Sequence, residues 1–193
     1  MKFTRSINNA IKNTQIAKDL IKILAPKGSD YFLSPDGKKQ LTNAPILLTK
    51  VDNTKPFTFI VKVTPQFHDC FDAGALFIYV NNHLWQKFAF EMDEEKNTRI
   101  VSVRTIETSD DNNHSVIIQN SVYLKISSDG HQIGFYYSLD KEIWYLARVY
   151  KNNYPKTIYL GLSSQSPIGD GISTVFEDIT FSDRAIKDFR MGA

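Results

Sequence analysis

Several features that mark particular classes of protein are missing from this chain. Cys70 is the only cysteine among 193 residues, so no disulfide can form within the chain and a disulfide scaffold is excluded. No apolar run approaches the roughly 18 residues that a membrane-spanning helix needs. The first 15 residues, MKFTRSINNAIKNTQ, carry no apolar segment of the kind found in a secretory signal. These absences predict a cytoplasmic protein in a reducing compartment, with no membrane partner.

An excess of charge of one sign is also missing. The chain has 23 Lys and Arg against 21 Asp and Glu, for a net charge of +2, and these charges are scattered. Without a basic stripe we expect no nucleic-acid partner. The four histidines lie at turns with no metal-ligand spacing, and no phosphate-binding loop or GxGxxG motif occurs. We therefore expect neither a metal site nor a cofactor.

What the chain does have is strand periodicity. The segment FTFIVKV (57–63) alternates apolar residues with others, and similar short runs recur between turn residues. Roughly ten to twelve strands at such spacings predict an antiparallel sandwich or jelly roll. Residues 16–24 fit either a short helix or an opening strand that ends at the turn 25–28. We expect one domain over residues 1–193, with its core at about 16–181.

The segment Phe71–Met92 is the most informative part of the pattern. It predicts two strands joined by a tight polar turn, and alternate side chains of the second strand point to opposite faces. Phe88 belongs to the apolar core face. The other face carries Trp85, Lys87 and Glu91 along one line, with a small residue between the last two. This arrangement of an aromatic ring, a cation and a carboxylate favours a ligand-binding groove, although a half-buried Trp beside a cross-strand ion pair is the structural alternative.

Several motifs occur in order along the chain: FDAGALFIYV, WQKFAFE, IVSVRTIETSDD, YSLDKEIWYLARVY, GLSSQSPIGDG and TVFEDI. With these motifs the chain resembles an uncharacterised group of concanavalin A-like jelly-roll proteins that carries the label regulation of enolase. The resemblance covers about residues 57–181, and one departure is Lys141, where the family usually has glycine in a turn.

The resemblance implies an all-β concanavalin A-like sandwich of two antiparallel sheets with a concave face, an architecture shared with lectins and glucanases. It also favours a strand over a helix at 16–24. Because a fold does not fix a function, the resemblance implies no particular reaction. The family label points to a metabolic-enzyme partner such as enolase.

The residues on the expected concave face suit a saccharide. Trp85 would stack on the apolar face of a sugar ring, while Lys87 and Glu91 would hydrogen-bond to its hydroxyl groups. Asp72 would support them from the preceding strand, and a polar loop at Ser109–Asp111 would close one end. The ligand-binding candidates are Asp72, Trp85, Lys87, Glu91, Arg104, Ser109, Asp110, Asp111 and Gln165.

A run of acids allows a further interpretation. Glu91, Asp93 and Glu95 alternate, so on a regular strand they would share a face, as the nucleophile and acid of a retaining glycosidase must. The alternative is a solvated turn that begins at Asp93. Likewise, Asp110 and Asp111 could offer oxygens to Ca²⁺ or could simply cap a turn. The main hypothesis is a saccharide-binding protein, and the two alternatives are a regulatory module for a metabolic enzyme and a glycoside hydrolase with Glu91 as its catalytic candidate.

Overall fold

The computed structural model describes residues 1–193. One 3-10 helix spans Ala10–Asn13, and every other regular element is a strand. The strands are β1 (Arg5–Ile7), β2 (Thr14–Ile16), β3 (Leu20–Pro26), β4 (Tyr31–Leu33), β5 (Gln40–Thr42), β6 (Ile46–Asp52), β7 (Phe57–Pro65), β8 (Ala73–Asn81), β9 (Leu84–Met92), β10 (Thr98–Ile106), β11 (Thr108–Val116), β12 (Val122–Ser128), β13 (Gln132–Ser138), β14 (Tyr145–Lys151), β15 (Thr157–Gln165) and β16 (Gly171–Ser182).

Two seven-stranded sheets pack face to face. The first sheet has the order β1-β6-β15-β8-β9-β10-β11, and the second has the order β14-β13-β12-β7-β16-β3-β2. Neighbouring strands are antiparallel throughout. This is the all-β, concanavalin A-like jelly-roll sandwich that the sequence predicts, and the prediction is confirmed. No helix is long and apolar enough to cross a membrane.

The alternation of side chains explains why these segments form a sandwich. Along β7, buried and partly exposed residues alternate at every position, so Phe59 and Val61 enter the space between the sheets while Lys62 faces outward. The two sheets meet through stacked rings, with Phe88 of the first sheet 5.0 Å from Phe135 of the second. The main apolar cluster contains 26 buried residues. Burial of this shared core is what holds the sheets together.

The N-terminal region adds an edge strand to each sheet. Strand β3 (Leu20–Pro26) confirms the strand interpretation of 16–24 over the helical one. Strands β1 and β2 lie before residue 16 or end on it, outside the region expected to form the core. They are three residues long each and largely exposed, so the sequence has no apolar alternation there. Their pairing with longer neighbours, rather than their own composition, makes them strands.

The prediction of a polar loop at Ser109–Asp111 is wrong, because these residues belong to strand β11, Thr108–Val116. It pairs along its length with β10, with Arg104 opposite Asp110. As an edge strand it has one free side. Its six residues from Asp110 to Ser115 are all polar and all exposed or partly exposed. Polar side chains on both faces remove the periodic signal, and they also protect a sheet edge from pairing with other chains.

The turn at Lys141 has the backbone conformation that the family resemblance suggests. Lys141 has φ 70°, in the left-handed region where glycine carries no steric penalty. The departure from glycine is therefore accommodated by strain in one residue. The hairpin between β13 and β14 still forms, with its strands in register from Gln132 to Tyr137 apart from one bulge.

A separate two-stranded hairpin covers the outer face of the first sheet, the face that points away from the second sheet. The segment Ser29–Ser34, which includes β4, crosses that face. At one end Ser29 and Ser166 exchange backbone hydrogen bonds of 3.2 and 3.0 Å. At the other end the Leu33 amide donates to Ser109 Oγ at 3.0 Å. We call Ser29–Ser34 the crossing segment, and it forms one wall of the candidate site.

We predict that the contact between the two sheets at Phe88 is the costliest to lose. Replacing Phe88 with alanine removes a ring with no solvent exposure, which typically lowers the free energy of unfolding by about 3–5 kcal/mol. Ile118 is 93% exposed, so Ile118→Ala is the matched control and should change stability by less than about 0.5 kcal/mol. Urea unfolding of both variants checks this. Equal losses in the two variants would contradict the described core.

Candidate functional site

The Lys87 amine is the centre of a group of buried polar side chains on the outer face of the first sheet. Lys87 is 4% exposed. Its Nζ donates a hydrogen bond to Gln165 Oε1 at 3.0 Å. Nζ also lies 3.6 Å from Asp30 Oδ1 and 3.8 Å from Glu91 Oε2. A buried ammonium needs such partners, because an isolated charge is costly to remove from water.

The positions of these residues follow from strand register and alternation. Lys87 and Glu91 are four residues apart on β9, and their side chains point to the same face. Val103 of β10 lies between Lys87 and Asp111 of β11, which places Asp111 on that face two strands away. Gln165 reaches the same face from β15, where it is two strands from Glu91 through Ala73. Asp30 comes from the crossing segment.

Burial changes the acid–base behaviour of these groups. It raises the pKa of Glu91 to about 8 despite the opposing field of Lys87, and it raises the pKa of Asp111 as well. Burial acts to lower the pKa of Lys87, but the nearby carboxyl groups, Asp30 first, outweigh it and the net pKa is raised. Lys87 therefore keeps its charge, while Glu91 holds a proton near neutral pH.

A cavity of about 550 Å³ opens onto these groups. Its floor carries Lys87, Glu91 and Asp111. One wall is formed by the crossing segment and the hairpin that follows it, and the other by the loops before β8 and after β15. The lining residues are Asp30, Phe32, Lys38, Lys39, Gln40, Leu41, Phe71, Lys87, Glu91, Asp111, Pro167 and Ile168. The size lies within the range of about 300–1,000 Å³ that small-molecule sites occupy.

Phe71 is the most distinctive apolar residue of the cavity. Its side chain is 37% exposed, which is unusual for a phenylalanine at the edge of a core. Its backbone has φ 67°, a conformation that residues other than glycine rarely adopt and that is strained for a bulky side chain. Its amide donates to Met92 O at 2.6 Å, which fixes the turn. Strain of this kind concentrates at functional sites.

Two polar atoms of strand β15 have no hydrogen-bond partner. They are Gln165 Nε2 and Ser163 Oγ, both on residues with no solvent exposure. Both residues alternate onto the outer face of the sheet, but neither lines the cavity. Gln165, a predicted ligand-binding residue, therefore reaches the cavity only through its hydrogen bond to Lys87.

Trp85 does not lie on the exposed part of this face, so the prediction that it stacks on a ligand is corrected. It has no solvent exposure. The ring of Tyr31, on the crossing segment, meets it edge-on with centroids 5.5 Å apart, and Phe77 lies 5.8 Å away. Its indole nitrogen donates to Asn82 O at 3.2 Å. Trp85 anchors the crossing segment, because a second apolar cluster of 13 residues forms beneath that segment.

Arg104 and Asp72 are also corrected, because neither lines the cavity. Arg104 points to the opposite side of the sheet, where its Nε donates to Tyr154 Oη at 3.2 Å and its guanidinium lies 5.2 Å from the ring of Tyr150. Asp72 has no solvent exposure. Its Oδ2 accepts backbone hydrogen bonds of 2.9 and 2.8 Å from His68 and Asp69, which fixes the turn before β8.

The three residues Ser109–Asp111 separate into different roles. Ser109 is buried and hydrogen-bonds to Thr105 Oγ1 at 2.9 Å besides holding the crossing segment. Asp110 is exposed and lies 3.5 Å from Arg148 of β14. Asp111 alone lines the cavity. They belong to a strand and not to a closing loop, so the expectation that the three act together is wrong. No group of three or more His, Cys, Asp or Glu side chains is arranged to hold a metal ion.

The run of acids after Glu91 does not form a pair of facing carboxylates. Strand β9 ends at Met92, and Asp93 begins a turn. Asp93 Oδ1 accepts from the Glu95 and Asn97 amides at 2.9 and 2.8 Å, and Asp93 Oδ2 lies 2.6 Å from an Arg99 nitrogen. Asp93 is therefore engaged in holding the turn, as the alternative interpretation expects.

Two residues of the site escape the sequence reasoning, Asp30 and Phe71. Asp30 lies 57 residues before Lys87 in a short apolar segment with no strand periodicity, and only the crossing of the sheet brings them together. Phe71 stands in the motif FDAG, just before a strand, where it is easily taken for a core residue. The signal that could identify it is the turn before β8, since a large apolar residue there has no strand partner.

Glu91 should make the stability of the protein fall as pH rises. Its pKa is about 8 in the folded protein against an ordinary value of 4.5. Between these two values the folded state keeps a proton that the unfolded state releases, so stability decreases across that window, by on the order of 3 kcal/mol. Glu91→Gln cannot ionise and should lose this dependence. Chemical unfolding of both proteins at about pH 5 and about pH 8 measures this change in the free energy of unfolding. An equal change in the wild type and Glu91→Gln would contradict the conclusion that Glu91 is buried in its protonated form.

Comparison with known proteins supports the fold. A functionally unknown protein from Saccharomyces cerevisiae has a TM-score of 0.84 at 16% identity, over 95% of this chain and 97% of that one. The GH43 BlXynB protein from Bacillus licheniformis has a TM-score of 0.68 at 13% identity over 89% of this chain. A xylan beta-1,4-xylosidase from Bacillus halodurans C-125 has a TM-score of 0.65 at 12% identity over 94% of this chain.

The chain corresponds to only part of the glycoside hydrolases: it covers 34% of the Bacillus licheniformis protein and 40% of the xylosidase. At these identities the likeness shows the fold alone. No curated protein matches the chain. The family described as Protein of unknown function (DUF1349) matches residues 7–184, which is most of the chain and includes every residue of the cavity. The chain belongs to the DUF1349 family.

Proposed function

We propose that the cavity over Lys87 binds a small hydroxyl-rich ligand, and that the ligand is a saccharide. The observation that carries this proposal is the floor of the cavity. The buried Lys87 ammonium and the partly buried Glu91 carboxyl are gathered there, with the exposed Asp111 carboxyl on the same floor and Asp30 on the wall. Buried polar groups are expensive, so the concentration of Lys87, Glu91 and Asp30 beside one cavity supports a binding role.

The hydrogen-bonding capacity of the floor matches hydroxyl groups. The Lys87 ammonium can only donate, the ionised carboxylate can only accept, and a protonated Glu91 can do both. A sugar hydroxyl both donates and accepts, so adjacent hydroxyls can satisfy all three kinds of partner. Bonds of this type to charged groups are the stronger ones. A purely anionic or purely cationic ligand would leave either the carboxyls or the ammonium facing a like charge.

The walls supply the apolar contact that a sugar ring needs. Phe71, Phe32 and Leu41 line the cavity, and the exposed ring of Phe71 takes the stacking role that the sequence assigns to Trp85. The proteins of similar fold named as GH43 and as a xylosidase carry this architecture within longer chains. The name of the xylan beta-1,4-xylosidase favours xylan-type saccharides as the first ligands to test.

The proposal predicts that a xylo- or arabino-oligosaccharide stabilises the protein against heat. A ligand at about 100 times its Kd adds roughly 2.7 kcal/mol, which is about 5–10 °C for a chain of this size. Phe71→Gly should abolish the shift, because it removes the ring. It should also leave the fold intact, since glycine accepts the positive φ without strain.

Glu107→Gly is the matched control. Glu107 also has a positive φ, 63°, but it follows the far end of β10, away from Glu91. It should keep the full thermal shift. A shift that survives Phe71→Gly would place the ligand elsewhere. No shift across the saccharide panel, from a protein that unfolds cooperatively, would reject the proposal and leave the regulatory contact with a metabolic enzyme as the hypothesis to test by pull-down.

One observation also favours glycoside hydrolysis as a second candidate. Glu91 holds a proton near neutral pH, as a general acid must, and a second carboxyl, Asp111, lines the same cavity. In this hypothesis Asp111 is the second catalytic carboxyl group. The sequence assigns that role to the acids after Glu91, but the turn at Asp93 takes them out of the site.

Hydrolysis predicts that the protein releases the chromophore from 4-nitrophenyl xyloside or arabinofuranoside. Glu91→Gln should reduce that release by at least about 100-fold, since it removes the proton donor while keeping the shape of the side chain. Asp110→Asn is the matched control, because Asp110 neighbours Asp111 but does not line the cavity. Sugar binding with no chromophore release at any pH would leave binding alone as the function.

A further inference from the structure

The second sheet also has an occupied outer face, and its occupant is the end of the chain as given. Residues 184–193 follow β16 and lie across β7, β12 and β13. Thr58 Oγ1 donates to Arg184 O at 2.7 Å, and the Ile186 amide donates to Ser127 Oγ at 3.1 Å. We call residues 184–193 the covering segment. It is bound to the sheet by specific polar contacts and does not merely lie against it.

The centre of this contact is a lysine between aromatic rings. Lys125 is 4% exposed, and its Nζ lies 3.5 Å from the centroid of the Trp144 ring and 5.7 Å from that of Tyr136. Its Nζ donates to Gly192 O at 2.7 Å, and the Tyr136 hydroxyl donates to Phe189 O at 2.7 Å. Burial lowers the pKa of Lys125 to about 8, so the ammonium still carries its charge at neutral pH.

The second sheet holds the covering segment through hydrogen bonds to the segment's main chain. All four hydrogen bonds end on its backbone atoms, at Arg184, Ile186, Phe189 and Gly192. Its side chains are mostly turned away, and Met191 is 67% exposed. Peptide-binding surfaces commonly hold a peptide through its backbone groups and place one of its positions in an aromatic-lined pocket.

Gly192 is the one position of the covering segment at which the surface formed by Lys125, Tyr136 and Trp144 requires a particular residue type. It is buried and has φ 76°, and a Cβ there would lie 2.8 Å from Tyr136 Cδ1 and 3.0 Å from Trp144 Cβ. Only glycine fits both the space and the backbone conformation. The Tyr136 ring also lies over Gly134, where it leaves no room for a Cβ atom.

The binding surface lies inside the region that the family matches, and the covering segment lies almost wholly outside it. The DUF1349 match spans residues 7–184, so Lys125, Tyr136 and Trp144 lie within it, and the covering segment after Arg184 lies outside it. The residues that form the binding surface therefore lie inside the matched region, whereas the segment that fills it lies after that region.

We propose that Lys125, Tyr136 and Trp144 form a second binding site, which takes a glycine-containing peptide and which the covering segment of a second copy of this chain can enter when the first copy's own segment leaves. The contacts depend on backbone groups that every copy carries. A tethered segment competes at an effective concentration of about millimolar, so each copy is closed by its own segment at ordinary concentrations. Exchange of identical elements is the basis of domain swapping.

The test uses the chain of residues 1–193 and a labelled peptide with the sequence of residues 184–193, RAIKDFRMGA. Gly192→Val should displace the chain's own segment, since the added side chain meets Tyr136 and Trp144. Fluorescence anisotropy should then show the peptide binding to Gly192→Val at least about tenfold more tightly than to the wild type, which is self-occupied. Gly192→Ala, a smaller change, should give an intermediate affinity.

Two controls test whether the peptide binds at the surface formed by Lys125, Tyr136 and Trp144. Lys125→Met in the Gly192→Val chain should remove peptide binding, and a peptide that itself carries Gly192→Val should not bind. Met191→Ala in the full chain, at an exposed position, should behave as the wild type does. Equal binding to the wild type and Gly192→Val, no binding to a Gly192→Val chain that unfolds cooperatively, or binding that survives Lys125→Met would each overturn the proposal. Failure here leaves the saccharide proposal untouched, because the two sites are on opposite outer faces.

Discussion

The buried ammonium of Lys87 is the interaction on which the outer face of the first sheet depends. A charge with so little exposure requires partners, and it finds them on three different parts of the chain: Gln165 of β15, Glu91 of its own strand and Asp30 of the crossing segment. The crossing segment is thereby held over the sheet by an ionic contact at Asp30 and by the packing of Tyr31 on Trp85. The cavity is the space that this arrangement leaves open.

The same arrangement separates two functions that the sequence assigns to one line of residues. Trp85 lies beneath the crossing segment and stabilises it, whereas Lys87 and Glu91 lie at the border of that segment, where Lys87 contacts Asp30 and both residues line the cavity. The exposed aromatic surface of the cavity comes instead from Phe71, whose backbone has an unfavourable positive φ. The polar floor and the apolar wall of the cavity are therefore supplied by different strands and loops.

Strand periodicity was enough to predict the sandwich and the two faces of β9, because alternation is a local property of sequence. It could not predict what covers an outer face. Asp30 and Tyr31 reach β9 through a segment with no periodic signal, and that long-range contact decides that Trp85 is buried. Strand β11 was missed for a related reason, since a polar edge strand is defined by its neighbour β10. Arg104 followed the alternation rule and lies on the opposite face from Lys87.

Binding of a saccharide at Lys87 and Glu91, on the outer face of the first sheet, can be tested by titrating ¹⁵N-labelled protein with xylo-oligosaccharides. The backbone amide signals are followed in two-dimensional NMR. We expect concentration-dependent shifts at Phe71, Lys87, Glu91 and Asp111, with none around Lys125 on the second sheet. Saturable shifts confined to any other surface, or no shifts at millimolar ligand, would contradict it.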